Sequence, residues 1–338
     1  VRGRTLLQQH GVRYVVQNPP ARPLKQKELD RLYLLPFERA PHPMYAVQGG
    51  VPAIEEVSHS ITAHRGCFGG CNFCAITFHQ GRVVQNRSRT SILAEAERII
   101  ASPDFKGYIH DVGGPTANFH LPACEKMKRG EVCKDRRCLF PEPCPALQTD
   151  HSSYLDLLRA VLALPGVKKV FVRSGIRFDY LMMDDRSGFL GELCRHHISG
   201  QLKVAPEHVS DRVLRHMGKP PAATFERFRK AYESTNQAIG KEQYLVPYLI
   251  SGHPGSTLED ALQLAQYIKK HRVVPEQVQD FYPTPGTVST TMYHTGLDPF
   301  TMQPVHVPTG EEKAMQRALL QYSAPRSRPL VEKALRIL

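Results

Sequence analysis

A chain of 338 residues is long enough for one large α/β domain or for two domains of about 150 residues. With 41 % hydrophobic and 22 % charged residues, and no apolar run of about 18 residues, its composition excludes a helical membrane protein, and eight cysteines over this length exclude a small disulfide-built scaffold. The net charge of +12 suits an anionic cofactor, an anionic substrate or RNA, but the basic residues are dispersed as on an ordinary solvated surface.

Residues 1–55 read as a lead-in. VRYVVQNPP (12–20) is strand-like, and Pro19, Pro20, Pro23, Pro36, Pro41 and Pro43 then argue against a long regular element. The segment is expected to be the remnant of, or a linker from, an N-terminal domain, in a chain that opens on Val1 and reads as part of a longer protein. From residue 56 to 323 short β-like runs alternate with helical patterns. HSITAHR (59–65) is the first strand, and TSILAEAERII (90–100) carries Ile92, Ala96 and Ile99 at helical spacing. GYIHDVGG (107–114) is a strand ending in a glycine pair. A helix over 154–164, strands over 167–175 and 198–207, helical sequence to about 237 and a strand over 242–255 follow.

Ser256 and Glu259 are spaced as a capping box for the next helix, and Thr309 and Glu312 as a second, opening a helix over 310–322. PEQVQDFYPTPGT (275–287) reads as strand, then loop. The tail 324–338 is short, basic and helical in character. Six βα units in succession predict a parallel sheet in a partial (β/α)6 TIM-like barrel. Residues 115–150, rich in charge, proline and cysteine, read as an insertion after the second strand.

The loop after the first strand, HRGCFGGCNFCAITFHQGR (64–82), places Cys67, Cys71 and Cys74 within eight residues, spaced C-x3-C-x2-C. Gly66, Gly69 and Gly70 let the backbone curl around an object. Zinc asks for four ligands, or three and a water, and His64 or His79 would complete such a set. A [4Fe-4S] cluster held by three thiolates leaves one iron open. Unligated thiols are the third alternative. Grouped cysteines of this kind predict metal binding in a reducing, cytoplasmic compartment.

CFGGCNFC, with Phe73 before the third cysteine, resembles the signature of the radical S-adenosylmethionine (radical SAM) superfamily. The resemblance implies that Cys67, Cys71 and Cys74 are the metal-binding and catalytic cysteines. SAM would chelate the open iron of their [4Fe-4S] cluster. Reductive cleavage would then give a 5′-deoxyadenosyl radical that abstracts hydrogen from a substrate. It further implies that Gly113 and Gly114 meet the SAM amino group, although Pro115 stands where an acidic residue often follows. Arg173 would pair with the SAM carboxylate, or serve as a strand-end ion pair. Ser174 and Glu207 would face the ribose. The turn Gly252, His253, Pro254, Gly255 would support the adenine pocket, or simply break the chain before a helix. Tyr282 would stack on a ligand or pack. ITAHRGCFGGCNFCAITFHQGR (61–82), DVGGPTANF (111–119), LKVAPEH (202–208), ISGHPGS (250–256) and VQDFYPTPGTVSTTMYHTG (278–296) are most similar to the YgiQ-type (UPF0313) radical SAM proteins, whose reaction is unsettled.

Cys124, Cys133, Cys138 and Cys144 form a second group, suited to a structural zinc, an auxiliary cluster or a plain loop. Cys194 reads as an inert core thiol. Three functions remain open: a radical SAM enzyme served by a low-potential flavodoxin or ferredoxin, an RNA- or protein-modifying version of it, and a non-enzymatic zinc- or cluster-binding scaffold.

Overall fold

A computed structural model describes residues 3–273, 275 and 278–338. The lead-in begins with an antiparallel hairpin of strands Leu6–His10 and Arg13–Gln17, exposed along its whole length. Its second strand was legible in the sequence; LLQQH has no alternation to mark the first. Helix Gln26–Tyr33 follows, burying Leu29, and its Asp30 carboxylate accepts from the Ser88 amide (2.9 Å). That bond ties the lead-in to the start of helix Arg89–Ile100, whose N-cap is Ser88.

The centre is a run of short parallel strands in chain order. Ser60–Thr62 pairs with Asp111–Gly113, and Tyr108–Ile109 with Lys169–Val170. Ile176 bridges to Val204. Gln201–Glu207 pairs with Tyr244–Ser251, which pairs with Gln279–Asp280. No ladder among the described residues joins the first strand to the last. Helices Arg89–Ile100, Ser152–Leu162, Ala222–Ile239 and Leu258–Lys270 connect these strands. Ile61, Ile92, Val112, Leu158, Val170 and Phe228 belong to the main core between them. Burying such side chains is the chief favourable term, about 25 cal/mol per Å² of apolar surface.

Several expectations are corrected in detail. The strand expected over 167–175 is regular only over Lys169–Val170. Beyond it the Arg173 and Ser174 amides donate to one oxygen of Asp111 (2.7 and 3.2 Å), so a carboxylate replaces the neighbouring strand. The cap of helix Leu258–Lys270 is Thr257 with Asp260, not Ser256 with Glu259, because the Ser256 hydroxyl is bonded to Gln316 (2.9 Å). Helix Gly310–Leu320 does start after Thr309, but Glu312 is taken by His306 (2.8 Å) and makes no box. Val288–Thr295 forms a helix where no element was expected; its β-branched residues conceal it. The tail holds helix Arg328–Ile337. The strand expected from 275 falls partly on residues 276 and 277, which lie outside the described residues. Residues 115–150 contain one regular element, the helical turn Glu125–Lys128.

Candidate functional site

The three-cysteine loop leaves the end of the first strand at Gly66, where φ is +90° and a side chain would overlap the Val83 carbonyl. The Cys67 amide donates to the Gly81 carbonyl (3.0 Å) and the Gly66 amide to Gln80 Oε1 (3.1 Å), closing the loop on itself. Asn72, buried, anchors its middle. Its amide donates to the Met217 carbonyl (2.8 Å), its Nδ2 to the His216 carbonyl (2.7 Å), and its carbonyl accepts from the Ser289 amide (2.9 Å). Phe73 lies edge-on to His253, ring centres 6.2 Å apart, which joins the loop to the glycine turn after the fifth strand.

The three thiols are electrostatic neighbours. Burial pushes Cys67 up to about 11, with Cys71 and Cys74 adding to the rise and the Gly69 amide and Arg177 opposing it. Burial also raises Cys74, helped by Cys71 and Glu207 and opposed by the Ile76 amide and Lys219. Such thiols ionise readily only when a cation takes up the charge. Among the described residues no three His, Cys, Asp or Glu side chains converge as a single ion requires. His64 points elsewhere, its Nε2 3.0 Å from the Thr116 carbonyl, and His79 is exposed. Neither histidine converges with the thiols as a zinc set among the described residues. A four-iron cluster makes a different demand, because each thiolate holds its own iron.

The other expected residues fall as follows. Gly113 and Gly114 end the second strand, and neither tolerates a Cβ: one would overlap the Ser174 hydroxyl, the other would sit 2.6 Å from the His64 carbonyl oxygen. The Ser174 hydroxyl is bonded to Asp111. Arg173 reaches outward to Glu56 (3.5 Å), both exposed, the geometry of a strand-end ion pair. Glu207 ends the fourth strand at φ +69°, a conformation that costs a non-glycine residue about 1–3 kcal/mol. Its carboxylate is buried and 3.8 Å from Lys219 Nζ; burial raises its pKa, with Lys219 and Arg177 opposing. Gly252 (φ +67°) packs on Lys313 and Gly255 (φ +91°) on His216, so close packing already accounts for both. Tyr282 is exposed.

Cys138 is an electrostatic neighbour of both Cys124 and Cys144, while Cys133 is 3.8 Å from Lys126 Nζ. Arg82, at the end of the first loop, donates to the Cys133 and Arg136 carbonyls (3.0 Å each). Cys67, Cys124 and Cys138 border one apolar cluster around Phe68 and Phe119. Cys194 is fully buried in the main core.

Sequence reasoning missed Arg177, Asp111, Asn72 and Lys219. Buried Arg177 donates from Nη1 to Cys71 Sγ (3.1 Å) and pairs with Asp179 through two nitrogens (2.6 and 3.0 Å). Burial works against its charge, but Asp179 and Cys71 outweigh it and hold the pKa above the usual arginine range. Buried Lys219 donates to the Ala205 carbonyl (2.5 Å) beside Glu207. Only Asp111, inside the strand-end motif, carried a local signal.

The Radical SAM superfamily model matches residues 61–268, which span the cysteine loop and the strand ends around it. The chain belongs to the radical SAM superfamily. Residues 1–60 match the model described as Radical SAM N-terminal, and residues 276–338 match a domain of unknown function, DUF3362. This radical SAM chain is 59 % identical over 336 residues to a UPF0313 protein of Clostridium botulinum (strain 657 / Type Ba4), covering 99 % of the chain and 53 % of that protein. It is 56 % identical to a UPF0313 protein of Clostridium perfringens (strain 13 / Type A), covering 99 % and 51 %. The chain thus spans about half the length of these relatives. Among solved structures it is similar to the radical S-adenosylmethionine methyltransferase TsrM from Kitasatospora setae with cobalamin and [4Fe-4S] cluster bound. That match has 13 % identity and a TM-score of 0.44, over 79 % of this chain and 45 % of the other. No helix among the described residues is long and apolar enough to cross a membrane.

Proposed function

We propose that this chain is the catalytic segment of a radical SAM enzyme of the YgiQ (UPF0313) type, built as a partial (β/α)6 barrel. In this reading Cys67, Cys71 and Cys74 hold a [4Fe-4S] cluster and SAM takes its fourth iron. The observation that carries it is the placing of three thiols as electrostatic neighbours on one short loop, pinned by Gly66 and Asn72 beside the Glu207–Lys219 pair. Soft thiolates suit iron–sulfur ligation. When bound, the cluster would supply the electron that splits SAM. The protein's own part is placement. Gly113 and Gly114 present bare backbone to the amino group, and Glu207 offers the ribose hydroxyls a buried carboxylate. Ser174, oriented by Asp111, serves the same end of the cofactor. Arg173, turned to Glu56, is the weaker candidate, and Gly252 and Gly255 back the adenine side.

The test is anaerobic reconstitution with iron and sulfide analysis, followed by reduction with SAM present. The expected results are about four irons per chain at this site and release of 5′-deoxyadenosine. Cys71→Ala should lose both while keeping much of the fold. Zinc without iron, or a full cluster and normal SAM cleavage in Cys71→Ala, would overturn the reading. The iron count also reads the second cysteine group: near eight irons would assign it an auxiliary cluster. A low-potential flavodoxin or ferredoxin is the proposed electron donor. RNA or protein is the alternative substrate class; the basic charge admits RNA, and RNA that copurifies at low salt and is lost at high salt would support it.

A further inference from the structure

Arg177 is placed more firmly than packing alone requires. Its amide donates to Asn118 Oδ1 (2.9 Å), and its carbonyl accepts from Asn118 Nδ2 (3.1 Å). Asn118 is itself 3.1 Å from His151 Nε2, and His151 Nδ1 is 2.7 Å from Asp184. All four side chains are buried, so Arg177 stands at the end of a fixed polar chain. Its planar guanidinium satisfies Asp179 with Nε and Nη2 and turns Nη1 onto Cys71 Sγ. A neutral thiol is a weak acceptor and returns little for a buried charged donor; a thiolate is a strong one. The paired Asp179 keeps the cation from being an uncompensated charge, leaving a directed N–H for the sulfur.

We propose that Arg177 is a positioning residue that sets the reduction potential of the cluster through this hydrogen bond to Cys71, with Asp179 and Asn118 holding its orientation. The proposal rests on the reading of Cys71 as a cluster ligand. Reduction adds one electron to the cluster and makes its sulfurs more negative, so a donor fixed on one of them stabilises the reduced form and raises the midpoint. Arg177→Gln removes the charge. Arg177→Lys keeps the charge but loses the fork that grips Asp179 and Cys71 together.

The experiment is an anaerobic redox titration of the reconstituted full chain with a chemical reductant, followed by electron paramagnetic resonance, with iron content measured alongside. The expected result is a lower midpoint in Arg177→Gln, with Arg177→Lys in between. The fraction reduced at a fixed solution potential near the wild-type midpoint should fall several-fold at unchanged iron content. Loaded variants with the wild-type midpoint would overturn the role of Arg177 and leave the cluster reading intact. Loss of the cluster from both variants would also overturn it, because Arg177 would then be a support of the loop. A wild-type protein that takes up no iron would overturn the cluster reading itself.

Discussion

Gly66 and Gly81 flank the cysteine loop, and both have φ close to +90°, yet they face different surroundings. A methyl group at Gly66 would overlap the Val83 carbonyl oxygen, which is backbone and cannot swing away, whereas at Gly81 it would meet nothing. Gly81→Ala therefore carries only backbone strain, about 1 kcal/mol. Gly66→Ala adds overpacking, for a total of about 2–4 kcal/mol. Thermal melting of the two variants should show the larger drop for Gly66→Ala, together with lost iron loading; equal drops would contradict the close approach. Residues of this local kind were legible in the sequence, because Cys67, Cys71, Cys74 and their glycines lie within one loop. Arg177 was not, since it meets Cys71 across 106 positions and nothing in IRFDYL marks its target.

Elements were legible where a hydrophobic run ended in glycine, as in DVGG and ISGHPG, and less so where two good caps stand side by side. Ser256 and Thr257 are equivalent by local rules, and their assignment is decided 60 positions away, where Gln316 takes Ser256. Thr257 is left to exchange bonds with Asp260, whose carboxylate accepts from the Thr257 amide (2.9 Å) and from the Ser210 hydroxyl (2.6 Å). Losing an N-cap costs about 1 kcal/mol, and partners in one bond network couple by roughly 0.5–3 kcal/mol. Double-mutant cycles in urea should accordingly couple Thr257→Ala with Asp260→Ala, and Ser256→Ala with Gln316→Ala. Coupling of Ser256 with Glu259 instead would restore the cap that spacing alone suggests.

At the scale of the molecule, alternating strands and helices gave the order of the parallel strands, because each βα unit buries its own apolar stripe. What remained hidden is how many polar groups that packing encloses. His64, His120, His208 and His253 are all buried, and burial lowers them to about 3, 4, 4 and 3 from an ordinary 6.5. They fold neutral. Between about pH 6.5 and pH 4 the unfolded chain therefore binds protons at these sites that the folded chain refuses, and stability falls as pH falls. Each histidine contributes a slope approaching about 1.4 kcal/mol per pH unit, which for all four together rivals a typical total stability of about 5–15 kcal/mol. Asp184 acts in a separate window. Burial alone would raise its pKa, but hydrogen bonds from His151 and Ser187 outweigh that and hold it low, so its stabilisation is lost only below the ordinary carboxylate range. The urea midpoint, measured anaerobically, should be flat from pH 8 to about pH 7 and drop steeply from about pH 6.5 to pH 5. A midpoint unchanged over that interval would mean that these imidazoles reach water, and that the packing around the cysteine loop and the GHPG turn is more open than the structure shows.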